Sequence, residues 1–357
     1  MADNQPETSN GSPAPDTNVT LPLTTTETAV SLPAVNLATI QQKMKWTKDQ
    51  ALERIRLIKY QIPVIPLPAN LQQPVADFIN TPDTAPESTA DMSQQIRNAT
   101  VPLNLSDSND QGATLGSATI LGVNDDRTKI LLGSGVHSFL NMLDIDPTSM
   151  SDDDMIARAK EEIRRRLGQS FSDTDKLEIP LQDSSGNQWG VKDAKFIAVT
   201  EPDGSEQILL EVTLDEPLDQ SFAPLAVANT QLELQQNSRI LTGGYTPKYG
   251  YQQSLNGRVY SPELQDGVAN DPIKDSHGNT ISDPKGDDKK YNDIFLVTEV
   301  PGIQPGTSGG TVATINADGQ LVYVGTITAK NNTNNVGWIS STDQPFVDMV
   351  NAWNTEN

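Results

Sequence analysis

An all-β fold of sandwich or barrel type is what the sequence predicts for its C-terminal two thirds. Beyond Asn98, short runs of alternating apolar and polar residues recur, the period of a half-buried strand. Gly, Asp and Asn bound these runs, and such residues suit tight turns between antiparallel strands. The region before them differs: residues 1–33 are dense in Thr, Ser, Pro, Asn and Asp and almost lack aromatics. That composition does not repay the entropy of ordering, so a disordered tail is expected.

Residues 34–97 read as a helical segment followed by a proline-rich linker. Ile40, Met44, Ala51, Ile55, Leu57 and Ile58 fall near one helical stripe between Leu37 and Tyr60. Pro63, Pro66 and Pro68 cannot continue a helix, so residues 61–92 are expected as a linker or an extended wrap over the body. Within 98–357 three hairpins are legible. Ala113–Val123 turns at Asn124–Asp126 into Lys129–Val136; Val191–Val199 returns as Glu206–Leu214; Thr311–Ile315 returns as Leu321–Ala329. Two helices interrupt the pattern. Residues 151–169 carry acids at the start, three arginines near the end and Gly168 as a stop, which suits the macrodipole and predicts a surface insertion. Residues 343–354 place Phe346, Met349, Val350 and Trp353 at helical spacing, a closing amphipathic helix.

Charge and composition exclude several classes of function. With 25 Lys and Arg against 47 Asp and Glu, the formal charge of −22 repels phosphate backbones and anionic lipid, so neither nucleic acid nor membrane is an expected partner. The absence of cysteine removes disulfides, thiol catalysis and thiolate metal sites. The start has neither a basic region nor an apolar run of signal-peptide length, and no stretch approaches the roughly 20 apolar residues of a spanning helix. A soluble protein, cytoplasmic or exported by another route, is expected. The acidic loops around Asp107 and Asp271 lack the alternating oxygen ligands of an EF-hand, so no metal or cofactor is expected.

Gly306-Thr307-Ser308-Gly309-Gly310 lies between the apolar run starting at Ile294 and the Thr311 hairpin. Glycines on both sides of a serine allow a tight turn that aims the Gly306 and Ser308 N–H groups at one point, a candidate oxyanion hole. A chemically inert glycine-rich turn satisfies the same five letters, so context decides. The G-x-S-x-G elbow of α/β-hydrolases requires a histidine after the serine, and both histidines, His137 and His277, precede Ser308. A subtilisin-type reading with His277 fails because the interval from His277 to Ser308 is too short for alternating strands and helices. His277 is better explained as a solvated turn residue. The surviving order is His137, an acid, then Ser308.

In that order the chain resembles the trypsin and HtrA-like serine peptidases. Gly302-IQPGTSGGTV resembles their nucleophile loop. The run from Gly116-SATILG to LLGSGVHSFL resembles the strand pair that ends in the catalytic histidine, and Glu206-QILLEV the strand bearing the acid. Gly243-GYTPKYGY resembles the strand opening the second barrel, and Val336-GWISSTDQPFVDMVN the last strand and closing helix. The likeness covers roughly residues 98–357; residues 1 to about 97 carry no resemblance of this kind.

The resemblance implies two antiparallel Greek-key β-barrels, at about 98–230 and 231–342, with a C-terminal helix at 343–354 and the site in the cleft between them. It implies a serine endopeptidase acting on polypeptide through a triad of Ser308 as nucleophile, His137 as base and Glu206 as orienting acid, with Gly306 and Ser308 as oxyanion donors. Asp203 and Asp193 compete with Glu206, because the family has Asp where this chain has Glu. The segment before His137, Gly-Ser-Gly-Val, also departs from the family pattern. Thr307 stands where trypsins keep the aspartate that pairs with a freed N-terminus, so activation by N-terminal cleavage is not expected. Gly302, Ile303 and Thr328 fall at the substrate pocket and predict uncharged, aliphatic or aromatic side chains at the cleavage site. The rival expectation is a protease-fold binding or scaffolding module without turnover. In either case the N-terminal helical segment is read as a pro-segment or a partner-docking arm.

Overall fold

The protein's structure is a computed structural model, which describes residues 69–106, 114–140, 142–143, 145, 152–172, 176–182, 188–200, 207–246, 250–261, 273–274, 280–282, 294–298, 307–331 and 336–357. The expected tail at 1–33 and the helices expected between Leu37 and Tyr60 lie outside the described residues.

Alternation and turn residues produce strands where they were expected. β1 (Thr100–Ser106), β2 (Thr114–Val123), β3 (Lys129–Gly135), β4 (Lys176–Gln182), β5 (Gln188–Trp189), β6 (Val191–Val199) and β7 (Gln207–Leu214) form one sheet. Its order is β5-β4-β1-β2-β3-β7-β6. β5 and β6 are a single run interrupted at Gly190; the first part pairs with β4 and the second with β7. The 188–199 run therefore closes the sheet into a barrel.

The second sheet repeats this plan. After the short β8 (Ala226–Val227) come β9 (Arg239–Thr246) and β10 (Gly250–Ser261), the small separate pair β11 (Ile273–Lys274) and β12 (Thr280–Ser282), and then β13 (Ile294–Thr298), β14 (Thr311–Ile315), β15 (Leu321–Asn331) and β16 (Val336–Ser341). The order is β14-β9-β10-β13-β16-β15, with β8 alongside β15 and a further β14–β15 pairing that closes the ring. Counting six strand positions along each barrel, both read 4-1-2-3-6-5. Two closed antiparallel barrels of one topology, followed by a C-terminal helix, are the predicted trypsin-like double barrel.

Three apolar clusters hold the molecule together. Barrel one is filled by residues such as Leu103, Ile120, Leu132, Phe196 and Leu210, barrel two by Ile240, Val312, Val324, Ile327 and Ile339. The third cluster lies between the barrels, where Leu121, Leu131 and Leu209 meet Leu241, Ala313 and Tyr323. Each buried Leu, Ile, Val or Phe side chain among them contributes on the order of 1.5–3 kcal/mol.

Helices tie the barrels together at both ends. α1 (Ala69–Ile79) and α2 (Ala90–Ala99) precede β1. The segment around α1 lies on barrel two, where Arg239 donates to Asp83 (2.7 Å) and to the Pro86 carbonyl (2.9 Å), and Arg258 to the Ile79 carbonyl (3.3 Å). α3 (Asp152–Arg165) and the one-turn α4 (Thr230–Glu233) follow in the chain, and α5 (Gln344–Glu356) ends it. Asp343 caps α5 by accepting from Phe346 N at 2.8 Å. From barrel two α5 returns to barrel one, where Trp353 Nε1 donates to Glu211 Oε2 at 2.7 Å. Burial alone would raise the Glu211 carboxyl, but Lys195 at 2.7 Å and the Trp353 N–H outweigh it, and the group is held below the ordinary glutamate range.

Three expectations need correction. The proline-rich stretch contains α1, with Pro74 inside it, and the start of α2; packing of the fully buried Val75 and the edge contact of Phe78 with Tyr260 offset the hydrogen bond a proline removes. α3 is not a surface insertion, since Ala159 and Ile163 are fully buried in the barrel-one core. On α5 the buried stripe is Phe346, Val347, Val350 and Trp353, while Met349 is exposed.

Candidate active site

β3 ends at Gly135, and a 3-10 turn, Val136–Phe139, carries His137. In a 3-10 turn residues i and i+3 share a face, and Val136 and Phe139 are both fully buried in the barrel-one core. Phe139 meets the Phe196 ring edge-on at 5.5 Å. The core-facing side of α3 packs into the same cluster, so the helix expected at the surface buttresses the histidine turn.

Ser308 sits in a tight turn of barrel two, closed by Gly310 N donating to the Thr307 carbonyl at 2.9 Å. Gly309, at φ +72°, supplies the left-handed residue. Three backbone hydrogen bonds fix the turn. Ser117 N of β2 donates to the Ser308 carbonyl (2.8 Å), Gly309 N to the Ile327 carbonyl (3.2 Å), and Ile327 N to the Gly310 carbonyl (3.3 Å). The serine is thus pinned to both barrels.

The two turns meet across the β2–β3 hairpin. A Cβ placed on Gly135 would stand 2.9 Å from His137 Cε1, 3.1 Å from its Nδ1 and 3.5 Å from Gly309 Cα. A Cβ on Gly116 would stand 3.2 Å from Ser138 Cβ and 3.8 Å from the Ser308 carbonyl oxygen. His137 is 5% and Ser308 0% exposed. His137 Nε2 and Ser308 Oγ are not hydrogen-bonded to each other. The structure brings these two residues into one buried neighbourhood without the direct bond between them.

The remaining site residues divide. Glu206, Asp203, Gly306, Gly302 and Ile303 lie outside the described residues, as does His277. Gln207 pairs with Gly135 at the His137 end of β3. Asp193 pairs with Thr213, which in turn pairs with Lys129. Six residues separate that level from Gly135, about 20 Å along the strands. Asp193 accepts there from Ser170 Oγ at 3.0 Å, so it is corrected out of the triad. Thr328 is buried beside Ile327, and its hydroxyl has no hydrogen-bond partner.

Sequence reasoning missed the residues that join the barrels here. Ser117 Oγ accepts from Tyr245 N at 2.8 Å, and Ser134 Oγ donates to the Ser117 carbonyl at 2.8 Å. Gln207 donates to the Ser340 carbonyl at 3.0 Å and accepts from Tyr323 OH at 3.2 Å. Burial holds the Tyr323 hydroxyl well above its ordinary range, and Tyr245 is raised for the same reason. The one signal available was the unusual Gly-Ser-Gly before Val136: Ser134 and Gly135 are the groups against which Gly309 packs. Among the described residues no three His, Asp or Glu side chains are grouped to hold a metal ion.

No protein-family model matches the chain, and no curated protein matches it. Among solved structures it is similar to one titled "Crystal structure of Deg5", at 12% identity and a TM-score of 0.38, over 74% of this chain and 94% of that one. The fold is read from strand order and closure, to which so low a score adds nothing.

Proposed function

We propose that the chain is a serine endopeptidase of the trypsin-like fold, which hydrolyses polypeptides through an acyl-enzyme. The observation that carries this reading is the meeting of the His137 turn and the Ser308 turn across Gly135, two motifs far apart in sequence and borne by different barrels. Ser308 Oγ attacks the scissile carbonyl and passes its proton to His137, which delivers it to the leaving amine as the C–N bond breaks. Water, deprotonated by the same imidazole, then releases the acyl group.

Glu206 is the orienting carboxylate in this reading, with Asp203 as its competitor. Glu206 immediately precedes Gln207, the partner of Gly135, and Asp203 lies four residues before it. The N–H groups of Gly306 and Ser308 hold the oxyanion, worth roughly 3–4 kcal/mol per donor in such sites. Gly302, Ile303 and Thr328 bring no charge to the pocket, so substrates carry uncharged side chains at the cleavage site.

A second reading, a binding or scaffolding module without turnover, is favoured by one observation, the complete burial of Ser308. A fluorophosphonate probe separates the two. Labelling of wild type that disappears in Ser308→Ala and in His137→Ala supports the enzyme; folded wild type that takes no label selects the module.

A further inference from the structure

Thr100 at the end of α2, Thr119 on β2 and Thr311 on β14 meet where the barrels touch, and all three are fully buried. Thr311 Oγ1 lies 2.6 Å from Thr100 Oγ1 and 2.8 Å from Thr119 Oγ1. Thr100 Oγ1 donates to the Ile96 carbonyl, in the last turn of α2, at 2.7 Å. A hydroxyl has one hydrogen to give. Because that of Thr100 goes to Ile96, Thr311 donates to Thr100, and Thr119 donates to Thr311. The neighbouring Tyr251 hydroxyl gives its own hydrogen to Gln253 Oε1 at 3.2 Å, so the direction stands. Hydrogen bonds aligned head to tail in a dry interior reinforce one another.

Thr311 directly follows Gly310, the residue that closes the Ser308 turn. We propose that the directed chain Thr119 to Thr311 to Thr100 to the Ile96 carbonyl positions the Ser308 turn, which makes α2 a working part of the site and not a removable leader. Fully buried Ile96 and Ala99 hold α2 in the cluster between the barrels, which fixes the far end of the chain. The three threonines are positioning residues. The catalytic consequence rests on the reading of Ser308 as nucleophile; the positioning does not.

Direction makes the substitutions unequal. Thr311→Val leaves the Thr119 hydrogen without an acceptor. Thr100→Val leaves two hydroxyls with one acceptor between them, while Thr119→Val strands no hydrogen. An orphaned buried donor favours local opening by about tenfold or more. Amide hydrogen exchange in the full chain is the readout, comparing Gly309 and Gly310 with Ile130–Leu132 of β3. Thr311→Val and Thr100→Val should speed exchange at Gly309 and Gly310 by about tenfold or more over any change in β3. Thr119→Val should stay within about threefold, and the serine variants at 100 and 311 should restore protection. Should Thr311→Val not fold, Thr100→Val and Thr100→Ser carry the comparison. Equal effects at all three positions, unchanged exchange at Gly309 and Gly310, or a rise shared evenly with β3 overturns the proposal. Fluorophosphonate labelling of the same proteins should slow wherever exchange quickens; absence of labelling in wild type overturns the nucleophile and leaves exchange to judge the chain.

Discussion

Replacing Gly309 by alanine tests the contact between the barrels more directly than any change to a reacting group. The residue has φ +72°, where a Cβ costs on the order of 1–2 kcal/mol. The added methyl would also collide with Ser134 Oγ and lie 2.6 Å from the Ser117 carbonyl oxygen and 2.8 Å from Gly135 N. Ser134 can rotate away only by giving up its 2.8 Å bond to the Ser117 carbonyl. The other two atoms are backbone and cannot rotate away at all. Overpacking of this kind costs about 1–3 kcal/mol and the displaced hydrogen bond about 1, so the expected loss is about 3–6 kcal/mol. Gly319 supplies the control. Its φ is +76° and a Cβ there would meet nothing within 4 Å, so Gly319→Ala should cost only the backbone share, about 1–2 kcal/mol. Urea unfolding of both variants, at matched m-values, measures the difference. Equal losses to within about 0.5 kcal/mol would refute the close approach of β2 and β3 to the Ser308 turn.

Two further outcomes follow from other contacts. The folded-state carboxyl of Glu211 is held below its ordinary value of 4.5, so its contribution is fully present above the unfolded glutamate range and is lost as pH falls through the depressed folded value. Wild type and Glu211→Gln should therefore differ in stability at neutral pH and converge on acidification; a constant gap down to about pH 2 would contradict the linkage. The 3.2 Å separation between a Cβ on Gly116 and Ser138 Cβ is slightly under the disulfide range of about 3.5–4.5 Å. The pair Gly116→Cys and Ser138→Cys should thus bridge after a small shift and stabilise by about 3 kcal/mol, an increment that reductant should abolish.

How much of this could be seen in the sequence depended on the range of the interaction. The hairpins were legible because their determinants are local: Asn124 and Asn316 begin turns whose side chains accept from backbone N–H groups a few residues on. The Ser308 turn was legible because glycine is required beside it, and His137 because it ends a strand. α3 misled because its charges describe its exposed face, while the two apolar residues that matter, Ala159 and Ile163, leave a weak trace. α2 was missed for a similar reason, since only Ile96 and Ala99 of its ten residues are buried. Asp193 could not be set aside by residue type; strand register, a property of pairing, places it far from Gly135. The threonine chain joins positions 192 and 211 residues apart, and no local pattern carries such a pairing.

The crossing of the helices that flank the barrels has a consequence for biosynthesis. A polypeptide leaving the ribosome presents α1 and α2 before the barrel they rest on has been made, and barrel one waits for α5 until barrel two has been synthesised. Neither half can complete its surface during translation. Whatever chemistry the Ser308 turn supports is therefore withheld from the nascent chain, and a product truncated before Trp353 would lack that side chain's anchor on Glu211.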